Sequence, residues 1–310
     1  MTNRAATERR LALKVDCDTF EGTRNGLPSL LRLFDRHAIR ATFFFTLGPD
    51  NSGRAILRVL TRKGFLRKML RSNALALYGP RTALSGTLLP APRIGRKLAT
   101  LIRSVGDAGH EVGVHGWDHV RWHDRLNRMS EARIERDYGR AHDEFARIFE
   151  HRARASAAPG WHATPLSLLV QDRFDLLYAS NTRGGRPFFP AAQGHVFRTL
   201  EIPTTLPTWD ETFNTPRLKD ESVFLEFYRD IVRSTDVHSI HTEVEATALL
   251  SLFERQIEIW LADGIRFVTL EEIAGETLAA RERVPAREIE RITLPGRAGA
   301  VTAGGRRRPA

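Results

Sequence analysis

Residues 11–18 read LALKVDCD, a short apolar run from Leu11 to Val15 that ends in Asp16, Cys17 and Asp18. In an extended chain, alternation with period two sends both carboxylates to one side and Cys17 to the other. The same arrangement recurs where Val114 runs into His115 and where Ile240 runs into His241. Apolar, β-rich runs at residues 11–15, 41–46, 111–114, 176–179, 200–203, 237–240 and 266–269 predict strands. Helical patterns lie between them, for example at 27–37, 130–149, 222–234 and 247–263. Such alternation predicts an α/β fold with parallel strands, closed into a barrel or left open. In a parallel barrel, reactive side chains collect at strand ends, which is where these acids and histidines fall.

Composition sets the limits. The chain has 310 residues, 42% hydrophobic and 27% charged, with a net charge of +10. About 300 residues can bury roughly three quarters of the unfolded surface without staples. The one cysteine, Cys17, excludes a disulfide scaffold and a cysteine-based zinc cluster, and its expected place is the core. No run approaches the ~20 apolar residues of a membrane span. The start MTNRAATERR lacks the apolar stretch of a secretory signal, so a cytoplasmic location is expected.

The positive charge favours a polyanionic partner. Arg54, Arg58, Arg62, Lys63, Arg67, Lys68 and Arg71 interleave with apolar residues in a stretch without an acid. This pattern suits a helix lying on an anionic membrane surface, and equally one that packs its apolar side on the barrel. The expected organisation is one domain over residues 8–280, a basic helical insertion at about 52–100, and a disordered basic tail at 295–310. No RNA- or DNA-binding motif is present, and nucleic acid is not an expected partner.

Three sets of residues carry chemistry. Asp16 and Asp18 repel one another, which favours one bound to a cation and the other acting as base. His115 and His119, in GVHGWDHVRW, are four apart, a spacing that puts both imidazoles on one face of a helical turn. An Asp-His-His set leaves positions open for water and substrate, as catalytic metal sites do. His241 ends a strand with Glu243 and Glu245 nearby and can donate a proton near neutral pH.

With KVDCDTF, HGWDH and SIHTE on the page, the chain resembles the polysaccharide deacetylase, or NodB-like, family of metal-dependent amide hydrolases. The longer strings VDCDTFEGTRNG, ATFFFTLGPDNSGR, KMLRSNALALYG, HEVGVHGWDHVRW, IPTTLPTWDE and IHTEVEA resemble one branch of it. Members of that branch remove the formyl group from 4-deoxy-4-formamido-L-arabinose carried on undecaprenyl phosphate, on the way to lipid A modification and polymyxin resistance. The resemblance implies an incomplete parallel (β/α) barrel. It implies that Asp18, His115 and His119 hold one divalent metal ion (Zn, Co, Mn or Ni), that Asp16 is the general base and that His241 is the general acid. The substrate would be a polyprenyl-phosphate-linked sugar, met at the cytoplasmic face of the inner membrane.

One departure stands out. Where the relatives carry an Arg after Gly-Trp and an Asp before Arg-Gly, this chain has His162 and Asn181. The expectation is a neutral His162–Asn181 hydrogen bond that orients Asp16 from below. Arg24, Arg183 and Arg186 are candidates for the substrate's phosphodiester, because guanidinium forks match phosphate oxygens. Trp161 and Trp209 are candidates to pack beside the sugar, and Asp210 and Glu211 are polar candidates near the site. The nearest rival function is an N-deacetylase of another polysaccharide or peptidoglycan sugar. A rival of another class is a non-catalytic basic nucleic-acid-binding barrel.

Overall fold

The computed structural model describes residues 8–54, 82, 84–213, 215–297 and 299–307. Most of the basic segment, from Arg58 to Arg71, lies outside the described residues. The first strand, β1 (Arg10–Cys17), is buried along nearly its whole length. It pairs in parallel with β2 (Thr42–Thr46), which leads to β3 (Glu111–Gly116), β4 (Ala155–Ser156), β5 (Tyr178–Ala179) and β8 (Leu200–Glu201). On its other side β1 pairs with β9 (Thr235–His241), while β10 (Arg266–Val268) lies beside the first residues of β1. Strands covered on both faces need nearly continuous apolar sequence, as TFFFT of β2 illustrates.

The sheet stops one strand short of a barrel. Thr205 and Leu206, just past β8, donate their N–H groups to the carbonyl of Val237 in β9, which bridges part of the gap. This is the incomplete parallel barrel that the resemblance implies, in one domain.

Helices α1 (Phe20–Arg36), α2 (Ala99–Asp107), α3 (His119–Arg125), α4 (Glu131–Phe149), α5 (Pro165–Gln171), α6 (Glu221–Asp230), α7 (Leu250–Ala262) and α8 (Leu270–Ala279) alternate with the strands. Thr19 caps α1 by accepting from the N–H of Gly22. Leu27, Leu30, Leu33 and Phe34 of that helix join Val15, Phe43, Phe45, Phe145 and Trp260 in the main core. Ile94, Leu98 and Ile102 are buried in the same core, so the end of the 52–100 region is scaffold rather than membrane-facing surface. Among the described residues no helix is long and apolar enough to cross a membrane.

Residues beyond 280 correct the expected boundary and the expected tail. β11 (Ala286–Thr293) and β12 (Ala300–Arg307) form an antiparallel hairpin, and β11 also pairs in parallel with β6 (Phe189–Ala192). β7 (His195–Val196) completes this second sheet. Small residues were read as having nothing to bury, but here they allow close backbone approach. A side chain at Gly304 would meet the Phe188 ring at 2.8 Å, and Val301, Thr302 and Ala303 are buried. The tail is therefore a folded strand through residue 307.

Candidate active site

The site forms at the C-terminal ends of β1, β3 and β9. Asp16 of β1 lies directly across from His241 of β9 in the strand register, so backbone hydrogen bonding sets the two side by side. Asp18 follows β1, His115 belongs to β3, and His119 opens α3. The two histidines converge, but not on one helical turn as their spacing suggested. Gly116 between them has φ +116°, a conformation that favours glycine, and it turns the chain from strand to helix.

His115 Nε2 lies 3.1 Å from Asp18 Oδ1, and His119 Nε2 lies 3.3 Å from Asp18 Oδ2. One donor atom from each of Asp18, His115 and His119 falls within 4.8 Å of the others. Buried Asp18 Oδ1 and His115 Nδ1 have no hydrogen-bond partner among the described residues. A carboxylate with an unpartnered oxygen and two ring nitrogens close to it fit a divalent cation with open positions for water and substrate. Around them, Glu243 accepts from the Thr19 N–H at 2.8 Å and from the Thr19 hydroxyl at 2.6 Å, which fixes the loop carrying Asp18.

Asp16 is held by a cation that sequence reasoning missed. Lys14, two residues earlier on β1 and fully buried, donates from Nζ to Asp16 Oδ2 at 2.5 Å. The Ser239 hydroxyl donates to the same oxygen at 3.0 Å. Asp16 Oδ1 has no such partner among the described residues and faces His115 Nδ1 at 3.7 Å. Burial opposes ionisation of Asp16, but Lys14 above all, with His115 and His241, more than offsets it and holds the carboxyl below its ordinary value. The available signal was Lys14 itself, a lysine inside an otherwise apolar strand and in phase with Asp16 and Asp18.

His241 is half-buried. Burial favours its neutral form, yet Asp18, Asp210, Glu245 and Asp16 together raise its pKa to about 9. Glu245 accepts the backbone N–H of His241 at 2.8 Å. Asp210 is held below its ordinary value: burial opposes this, and His241, the Thr208 hydroxyl and Arg297 outweigh it.

The remaining candidates divide. The expected His162–Asn181 pair does not form. The His162 ring bonds the His123 carbonyl and Asn127, each at 3.1 Å, while Asn181 donates to Gln171 and Glu201. With Lys14 beneath Asp16, neither residue is needed there. Trp209 is fully buried against Phe224, Tyr228 and Phe253 and is a core residue. Arg183 is buried and donates to Glu211 and to the Leu206 carbonyl, which uses its fork internally. Arg24 pairs with Glu21, and Arg186 is exposed. Trp161 does border the chemistry, with its ring edge-on to His241 at 6.3 Å between centroids.

Comparisons with known proteins show the family and the fold. The family model described as polysaccharide deacetylase matches residues 3–178. A "Probable 4-deoxy-4-formamido-L-arabinose-phosphoundecaprenol deformylase" of Shewanella sediminis (strain HAW-EB3) is 38% identical over 297 residues, 94% of this chain and 93% of the relative. The protein of the same description from Wigglesworthia glossinidia brevipalpis is 33% identical over 281 residues, covering 90% of this chain and 96% of its own. Among solved structures, a probable polysaccharide deacetylase from Pseudomonas aeruginosa PAO1 superposes with a TM-score of 0.60 at 16% identity, covering 90% of this chain and 93% of that one. The allantoinase PuuE does so with a TM-score of 0.62 at 17% identity, covering 89% and 92%. At these identities the structures speak for the fold.

Proposed function

Because the chain belongs to the polysaccharide deacetylase family, we propose that it is a deformylase of 4-deoxy-4-formamido-L-arabinose carried on undecaprenyl phosphate. It adds water across the formamide and releases formate and the free 4-amino sugar. The relatives' names supply the acyl group and the sugar. The observation that carries the chemistry is the Asp18-His115-His119 cluster beside a register pair of carboxylate and imidazole, Asp16 and His241.

Asp18, His115 and His119 would hold the divalent cation (Zn, Co, Mn or Ni), which when bound would polarise the formyl oxygen and acidify a water. Asp16 takes the proton of the attacking water on Oδ1, the oxygen that Lys14 and Ser239 leave open. A carbon–oxygen bond forms at the formyl carbon. His241, with Asp210, Glu245 and Asp16 nearby to favour its charged form, gives its proton to the sugar nitrogen as the carbon–nitrogen bond breaks. One proton is taken and one is given, which leaves formic acid and the free amine; the acid then ionises to formate, and transfer of a proton from Asp16 to His241 through solvent restores the starting state.

The substrate is tethered to a bilayer, and the chain meets an anionic membrane surface at its cytoplasmic face. A cleft of about 580 Å³, lined by Arg54, Arg121, Arg125, Arg128 and Arg133 against the two acids Asp118 and Asp124, supports this reading by its net positive charge. Arg125 and Arg128 are exposed and have no acidic partner among the described residues.

The test is release of formate from the formamido-arabinose lipid, measured for the native protein, Asp16→Asn and His241→Ala, with the acetamido lipid in parallel. The reading predicts formate from the native protein and a loss of about 10²–10⁴ in each variant. Preference for the acetamido lipid would overturn the formyl assignment in favour of the N-deacetylase.

A further inference from the structure

We propose that the C-terminal hairpin is part of the active site, and that its Arg297 is a positioning residue which holds the Trp161 wall against His241. The inference rests on the hydrolytic reading above but not on the identity of the acyl group.

Trp161 sits at φ +52°, directly after Gly160 at φ +63°. A bulky residue in that region is strained and persists only where its surroundings over-determine it. Its indole N–H donates to the Thr204 hydroxyl at 2.9 Å, which fixes one edge. Three cations lie against the ring: Arg297 at 4.5 Å, Arg183 at 4.9 Å and Lys14 at 5.3 Å from a ring centroid. Stacking of this kind stabilises by about 0.5–2 kcal/mol per pair and dictates ring orientation. Two of the three cations belong to the barrel and one to the hairpin.

The hairpin is fastened to the same wall. The Thr302 hydroxyl accepts from the Ala163 N–H and donates to the Ala163 carbonyl, both at 3.0 Å, two residues past Trp161. The Thr302 carbonyl accepts from the Arg183 N–H at 2.9 Å. Gly296 packs so tightly on the turn after Thr208 that a side chain there would come within 2.2 Å of the Glu211 carbonyl oxygen. Arg297 lies 3.5 Å from the Glu211 carboxylate, which Arg183 already grips, and its guanidinium is 15% exposed. The hairpin thus touches the Trp161 loop, Arg183 and the turn that carries Asp210. Of these, Trp161 packs edge-on to His241, the barrel's proton donor, and Asp210 acts on it electrostatically, while Arg183 reaches it only through the Trp161 ring.

The test is a kinetic cycle of Arg297→Ala, Trp161→Leu and the double variant, with Arg297→Lys and Gly296→Ala alongside and thermal melts as a check on folding. The amide measured is the formamido sugar, or the acetamido sugar if the native protein releases no formate. The formyl assignment can then fail without this inference, and the reverse. Arg297→Ala should lower kcat at least tenfold, change KM less than threefold and leave the melt within a few degrees. Arg297→Lys keeps the charge but loses the planar stack and should recover only part of the loss. Gly296→Ala, which lifts the hairpin off Glu211 while retaining Arg297, should lower kcat as well. The double variant should lose no more than the worse single one. Unchanged kcat in Arg297→Ala, an effect on KM alone, or losses that multiply in the double variant would each overturn the proposal.

Discussion

Replacing Lys14 by methionine tests how the site controls its base. At 2.5 Å between Nζ and Oδ2, the attraction between the two charges is about 7 kcal/mol at an effective dielectric constant near 20. Burying two such ions costs several kcal/mol each, so the pair adds little net stability and its value lies in keeping Asp16 ionised. Lys14→Met removes one partner and strands a carboxylate that is 3% exposed. The expected cost is about 3–5 kcal/mol, or roughly 5–8 °C in melting temperature for a chain of this size. Without the cation the Asp16 carboxyl rises, so at fixed pH less of it is in the basic form. The acid limb of the activity profile should therefore move to higher pH. The decisive companion is the double variant Lys14→Met with Asp16→Asn. It leaves no buried charge unpaired and should regain most of the stability lost by Lys14→Met, while its hydrolysis stays abolished. Calorimetric melts and pH–rate profiles of formate release read both outcomes. A double variant no more stable than Lys14→Met, or an acid limb that stays put, would refute the reasoning.

Three further outcomes follow from other parts of the structure. Treatment with a chelator should abolish hydrolysis, and re-addition of a divalent ion should restore it in the parent but not in His119→Ala, with bound metal measured by elemental analysis. Gly22→Ala should destabilise by about 1–3 kcal/mol, because the new Cβ would lie 2.3 Å from the Glu243 carboxylate that fixes the Asp18 loop; denaturant melts report this. His238 is fully buried, and burial first, with Arg183 and His241, lowers its pKa to about 3. It is neutral when folded but binds a proton when unfolded below about pH 6.5, so stability is complete above that pH and falls as pH drops toward 3. His238→Phe should accordingly gain about 2 kcal/mol relative to the parent on going from pH 8 to pH 5, read from denaturant melts at both values.

The parts of this molecule that were legible in sequence are those where one residue's neighbours along the chain decide its environment. LALKV, TFFF and HSIH are buried on both faces, so their composition alone marks them as inner strands, and the residue that ends each run falls on the barrel rim. Asp16, Asp18, His115 and His241 could be found in this way. β4 is two residues long and had no run to display, yet it carries the sheet between β3 and β5. The turn of the chain at Gly116 was hidden as well, because a four-residue spacing looks the same whether a helix spans it or begins at its end.

What could not be read was which partner each polar group takes, even where, as for Lys14 and Asp16, the two stand on one strand. The loss of an Arg and an Asp at the positions of His162 and Asn181 was visible, and the natural inference was that a new pair replaced the old one in place. The charge balance at Asp16 is instead met by Lys14 from within β1, and His162 and Asn181 were released to bond elsewhere. The hairpin follows the same logic. AVTAGG has little side chain to bury, but small residues let a backbone reach Phe188, Ala163 and Arg183 directly, so the segment is held through its main chain and Thr302. Apolar content measures how much a strand can cover with side chains and is silent about how closely its backbone can approach. Here that close approach brings Arg297 to within stacking distance of the tryptophan beside the proton donor.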